Sequence, residues 1–174
     1  MNFARNFTRF FALLLPILMV TGCAGYRIGS AKPAALEDIH SIAIPLFKNK
    51  TLEPRVTAMI TNSIIRRFHE EGTYQITTRE KADAVLEGTF VRMTRSQRRA
   101  GRNDQLQTLE LEVGLVADYI LTDSRTHVVL SEGQVEGRTD IFLDPNFQLS
   151  ERQAVPIAAQ DLATKIVSKL SDGW

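Results

Sequence analysis

Hydrophobic and polar positions alternate most cleanly over residues 107–121. Leu109, Leu111, Val113, Leu115, Ala117, Tyr119 and Leu121 fall on one side. Glu110, Glu112 and Asp118 fall on the other, with Val116 and Ile120 as exceptions. A period of two over this length predicts an antiparallel strand with one buried face. Shorter runs predict further strands. In residues 39–47, Ile42, Ile44 and Leu46 alternate, and Pro45, which cannot donate to a ladder, suits an edge or a strand end. Residues 73–78 form a brief candidate around Tyr74 and Ile76. Residues 84–93 place Leu86 and Phe90 on one face and Val85 and Val91 on the other. Residues 127–138 follow a turn at Thr122-Asp123-Ser124-Arg125, with Gly133 and Gly137 as candidate bulges.

Two stretches carry the helical period. Over residues 52–71, Leu52, Val56, Met59, Ile60, Ile64 and Phe68 form one stripe. Thr51 is placed to cap this helix, Glu53 and Pro54 suit its first turn, and Gly72 ends it. Arg66 and Arg67 near that end read as a solvated pair. Over residues 150–170, Leu162, Ala163, Ile166, Val167 and Leu170 form the stripe. Ser150 and Gln153 fit a capping box, and Asp161 pairs with Lys165 one turn on. Pro156 argues for a regular start nearer Val155. This order predicts an α+β fold: a two-layer sandwich with a mixed, mostly antiparallel sheet of four to five strands and two helices on one face.

The first residues follow another pattern. Residues 1–22 hold Arg5 and Arg9 and no acid, and residues 10–20 are uncharged and apolar. A basic start, a short apolar run and small residues after it form a secretory signal. A membrane-spanning helix competes for the same stretch. The 17 uncharged residues from 10 to 26 reach only the lower end of the roughly 17–25 that span a bilayer. The last six are weakly apolar, and Pro16 interrupts the run, so the signal is preferred. Val20-Thr21-Gly22-Cys23 resembles a bacterial lipobox, whose cysteine is acylated and becomes the mature N-terminus. Two or three acyl chains make a stable anchor. Ala24 follows where enterobacterial inner-membrane lipoproteins typically carry Asp, which points to the outer membrane. The expected organisation is a lipoprotein signal over 1–22, a lipidated tether over 23–38 and a single domain over 39–174.

Cys23 is the only cysteine, which excludes an intramolecular disulfide and any zinc site needing two thiolates from this chain. Hydrophobic residues make up 44% and charged residues 24%, ordinary for a globular domain. The formal charge of +1 becomes −1 once the two leader arginines are removed. That small total hides a cluster. Arg92, Arg95, Arg98, Arg99 and Arg102 occur within eleven residues that contain no acid. The planar guanidinium fork suits phosphate and carboxylate, so this strand and the loop after it are a candidate anion site, set against a solvated hairpin tip. Nucleic acid is a poor fit, because no aromatic residue interleaves with the arginines and the chain carries a secretory signal. Residues 140–149 form an unusually apolar loop that either caps the core or docks into a partner.

Catalytic signals are absent from the sequence. His40, His69 and His127 are scattered, and no nucleophile-elbow, Walker or dinucleotide-binding glycine pattern occurs. The acid pairs Glu70-Glu71 and Glu110/Glu112 sit where a solvated face would put them. The expectation is a protein that is not an enzyme and needs no metal or cofactor beyond acyl chains on Cys23.

Several blocks together resemble one family. They are the lipobox with Gly25-Tyr26, SIAIPLFKNKTLEPRVTAMITNSIIRRF from Ser41 to Phe68 with Gly72-Thr73-Tyr74, ADAVLEG from Ala82 to Gly88, the long alternating strand and the C-terminal helix. These resemble the lipopolysaccharide-assembly lipoprotein LptE family. The resemblance implies a non-enzymatic protein lodged as a plug in the large outer-membrane β-barrel LptD, which it helps to assemble. It also implies contact with lipopolysaccharide in transit, with Arg98, Arg99 and Arg102 as leading candidates, Arg92 and Arg95 beside them and Arg152 as a further contributor. The opening SIAIPLFKN also resembles the first strand of TolB-like and curli-secretion domains. That alternative implies a secretion-pore subunit or a synthase activator.

Overall fold

The computed structural model describes residues 32–99, 109–142 and 147–172, all within one compact unit, Ala31–Trp174. The expected signal, Cys23, residues 24–31 of the tether, Arg102 and residues 143–146 of the apolar loop lie outside the described residues. After a short 3-10 turn at Ala34–Leu36 come β1 (Ser41–Ala43), β2 (Lys48–Asn49), α1 (Val56–Glu71) and β3 (Gln75–Ile76). Then follow β4 (Ala84–Arg99), β5 (Leu109–Asp123), β6 (Val129–Phe142) and α2 (Phe147–Ser171).

The three long strands form an antiparallel meander, β4–β5–β6. Beyond β4 the sheet is parallel: β1 lies between β3 and β4, and β2 pairs with β4 farther along the same edge. A parallel neighbour needs a crossover, and α1 supplies it between β1 and β3. The α+β sandwich stands, with six strands in place of four or five. The addition is the two-residue β2, and β3 is the brief strand expected within residues 73–78. Pro45 lies past the end of β1, which is an inner strand and not an edge.

Both helices share one core with one face of the sheet. Ile60, Ile64 and Phe68 of α1 and Leu162, Ile166 and Leu170 of α2 close over Leu86, Phe90, Leu115 and Leu121, all fully buried. The period-two reading of β5 holds for Val113, Leu115, Ala117, Tyr119 and Leu121. Leu36 is also buried in this core at 1% exposure. The packed unit therefore begins ahead of Ile39, within the stretch expected as tether.

The helix starts differ from expectation. α1 begins at Val56, and Leu52 is 99% exposed. The Thr51 hydroxyl accepts the Glu53 N–H at 3.1 Å in a local turn, so it caps no helix. Arg55 occupies the cap position without a side-chain bond, and Glu53 and Pro54 precede the helix. The stop at Gly72 is as expected: φ is +80° and its N–H reaches the Phe68 carbonyl. α2 starts at Phe147, which puts Ser150 inside the helix and Pro156 in its interior. The glycines of β6 are not bulges. The β5–β6 irregularity falls between Leu121 and Thr122. A Cβ on Gly137 would strike the Ala158 carbonyl and the Leu162 backbone, so this glycine lets α2 lie directly on β6.

Candidate functional site

The arginine cluster lies on β4, where one irregularity decides its layout. The β4–β5 register shifts between Phe90 and Arg92. Before the shift, Leu86 and Phe90 face the core. After it, Met93 packs against the core, opposite Leu115. A bulge of one residue exchanges the two faces of a strand. Arg95 therefore lies on the helix side, opposite buried Val113, and Arg92 on the outer face, opposite Val116. The strand also runs farther than expected. Arg98 and Arg99 are not in a loop but in β4, in register with Glu110 and Leu109. Their side chains, like Arg102 entirely, lie outside the described residues.

Acids from distant segments meet these arginines. The Arg95 guanidinium contacts Glu53, ahead of α1, at 2.8 Å. On the outer face, Glu136 of β6 bonds Arg138 at 2.6 Å. That bond holds the Glu136 carboxyl below the usual carboxylate range and raises Arg138, and the charge of Arg92 adds to the effect on Glu136. Ser96 donates to Glu112 at 3.3 Å. A run with no acid in sequence thus sits within a charge-alternating sheet.

At the opposite end of the sheet, two carboxylates act as clasps that composition does not reveal. Asp83 Oδ2 accepts from the Ser41 hydroxyl at 2.8 Å, the Ser41 N–H at 2.9 Å and the His40 N–H at 3.1 Å. The Ser41 bond leads in lowering its pKa. Asp123 Oδ1 accepts the N–H groups of Thr126 and Arg125, both at 2.8 Å, which lowers its pKa and sets the expected turn. His127 follows at a left-handed φ of 57°. The β3–β4 loop and this turn wall a cavity of about 450 Å³ floored by Val85 and Thr122, with Arg79 paired to Glu87 at its rim.

A second cavity, of about 230 Å³, lies between the helices. Ser63, Arg66, Arg67 and Glu70 of α1 line it with Gln160 and Thr164 of α2. Arg66 donates to the Ser63 hydroxyl at 3.0 Å. Among the described residues, no group of three or more histidines, cysteines or acids could hold a metal ion. None of the described helices is long and apolar enough to cross a membrane.

The architecture and sequence have a counterpart among known families. The LptE model, described as lipopolysaccharide-assembly, matches residues 39–170, nearly the whole domain. The chain belongs to the LptE family. LptE proteins are non-enzymatic lipoproteins of lipopolysaccharide assembly in the Gram-negative envelope. No curated sequence matches the chain. Among solved structures, this LptE domain is similar in fold to a putative neuraminyllactose-binding hemagglutinin homologue from Helicobacter pylori. That likeness has a TM-score of 0.52 at 13% identity and covers 85% of this chain and 90% of the other. It is also similar to a PelC dodecamer from Paraburkholderia phytofirmans, with TM-score 0.51, 18% identity and coverage of 81% and 95%. A minor lipoprotein from Acinetobacter baumannii matches with TM-score 0.51, 12% identity and coverage of 77% and 94%. At these identities the likeness is one of fold.

Proposed function

We propose that this LptE protein is exported by its N-terminal signal, acylated at Cys23 and held at the outer membrane. There it plugs the LptD barrel, helps that barrel to assemble and contacts lipopolysaccharide on its way to the outer leaflet. The observation that carries this reading is the family match over residues 39–170. The match takes in both helices and all six strands, so it concerns the domain as a unit.

The lipopolysaccharide contact falls to the β4–β5 hairpin and to Arg92, Arg95, Arg98, Arg99 and Arg102. Arg98 and Arg99 stand at the far end of β4, and guanidinium groups bind phosphate through paired N–H donors. Acidic partners at Arg95 and near Arg92 make those two positioning residues. Replacing Arg98, Arg99 and Arg102 together by Glu should weaken lipopolysaccharide binding without unfolding the domain, and unchanged binding would remove the role.

Co-purification of the native lipoprotein tests the whole reading. Recovery of one large β-barrel of the LptD type supports it. A second reading draws on the likeness to PelC, which forms a dodecamer: the chain would build a ring in a secretion pore. A self-assembled ring, or capture of a cell-wall synthase, would overturn the LptD reading.

A further inference from the structure

A residue that lines the cavity between the helices carries a polar group with no partner. Arg67 Nε is buried and finds no acceptor. Its NH1 reaches Glu70 only at 3.4 Å, beyond ordinary hydrogen-bond length. A buried donor left unpaired costs free energy and calls for an unseen water or ion. The lining around it is donor-rich. Arg66, braced by Ser63, adds a second guanidinium, and Gln160 and Thr164 face it from α2, one turn apart. Two cations against the single carboxylate of Glu70 leave the cavity net positive. That carboxylate is already present and does not reach Nε, so the donor is open to a further acceptor.

We infer that the α1–α2 seam is a second oxyanion site, taking a phosphomonoester on Arg66 and Arg67. A tetrahedral phosphate offers three acceptor oxygens to the two guanidinium groups, and the cavity of about 230 Å³ has room for it. The site lies on the helix layer, apart from the β4–β5 hairpin, and does not rest on the hairpin's proposed role. Free phosphate and a lipid phosphate present the same chemistry.

The Arg67 Nε–H resonance of the full lipoprotein in detergent reports on this donor. Inorganic phosphate and, separately, micelles doped with phosphatidic acid are the probes. A shift with inorganic phosphate supports the site with free phosphate as a sufficient ligand. A shift with phosphatidic acid alone supports it with a lipid source. No shift with either overturns it, and water then completes the donor. Arg66→Gln with Arg67→Gln should weaken phosphate binding, followed on the Gln160 and Thr164 amides, by roughly tenfold or more. Arg98→Gln with Arg99→Gln and Arg102→Gln should leave the Arg67 shift in place. Its loss in that hairpin variant would also overturn the site, whereas loss of lipopolysaccharide binding alone would bear only on the hairpin.

Discussion

The Asp161 carboxylate of α2 accepts the backbone N–H of Arg138, on the edge strand β6, at 2.8 Å. One turn on, Lys165 donates to the Glu136 carbonyl at 2.9 Å and to Asp161 at 2.6 Å. The i,i+4 pair expected from sequence therefore does more than stabilise a helix. It occupies edge groups of β6 that would otherwise be open to another strand. Replacing both residues by Ala should lower stability by about 1 kcal/mol and speed hydrogen exchange at the Arg138 amide. Unchanged exchange there would show that the contact does not persist in solution.

The ring of Phe47 fills the space where a side chain on Gly88 would stand. Gly88→Ala should therefore cost about 1–3 kcal/mol by overpacking. Phe47→Ala leaves a cavity and should cost about 3–5 kcal/mol. In the double variant the two costs should fall short of their sum, because the smaller residue vacates the space the methyl needs. Chemical denaturation of the four proteins measures this, and strict additivity would contradict the packing.

Tyr74 joins the two helix ends, its hydroxyl donating to the Leu170 carbonyl at 2.7 Å. Burial, with the charge of Glu71 added, pushes its pKa up to about 12. An unfolded tyrosine ionises near about 10. The folded form therefore holds the proton longer, and stability should be level below about pH 10 and fall between about 10 and about 12. Ultraviolet titration of tyrosinate should show one late-ionising residue, lost in Tyr74→Phe.

Asp83 contributes to the acid limb. Its carboxyl is held below its ordinary value, chiefly by the Ser41 hydroxyl. The stability it contributes is present above an unfolded pKa of about 3.9 and is lost as pH falls through the lower folded value. Ser41→Ala should cost about 1 kcal/mol at neutral pH, and its deficit against the unaltered protein should narrow toward acid. A deficit constant with pH would assign the loss to packing.

Local patterns made much of this fold legible. The alternation along β5 and the stripes of α1 and α2 each depend on a short window with one buried face, and these mark the residues of the core. Helix starts were harder, because Thr51 and Ser150 are capping residues by type while their neighbours determine whether they cap. Thr51 is engaged in its own turn, and Pro156 is accommodated in a helix that starts nine residues earlier. The arginine cluster was legible as a run but not as a layout. The bulge after Phe90 leaves no local signal, and the acids Glu53 and Glu136 approach across long stretches of chain. The unpartnered donor of Arg67 depends on a helix nearly a hundred residues away, which no spacing within α1 reveals.

The burial of Leu36 has a mechanical consequence. With Cys23 as the proposed anchor, thirteen backbone steps separate the lipid from Leu36, the first buried residue of the described chain. At about 3.5 Å per residue when fully extended, that leash would reach at most roughly 45 Å, about the thickness of a bilayer with its headgroups. An acylated Cys23 would thus hold the domain in a shallow layer against the membrane.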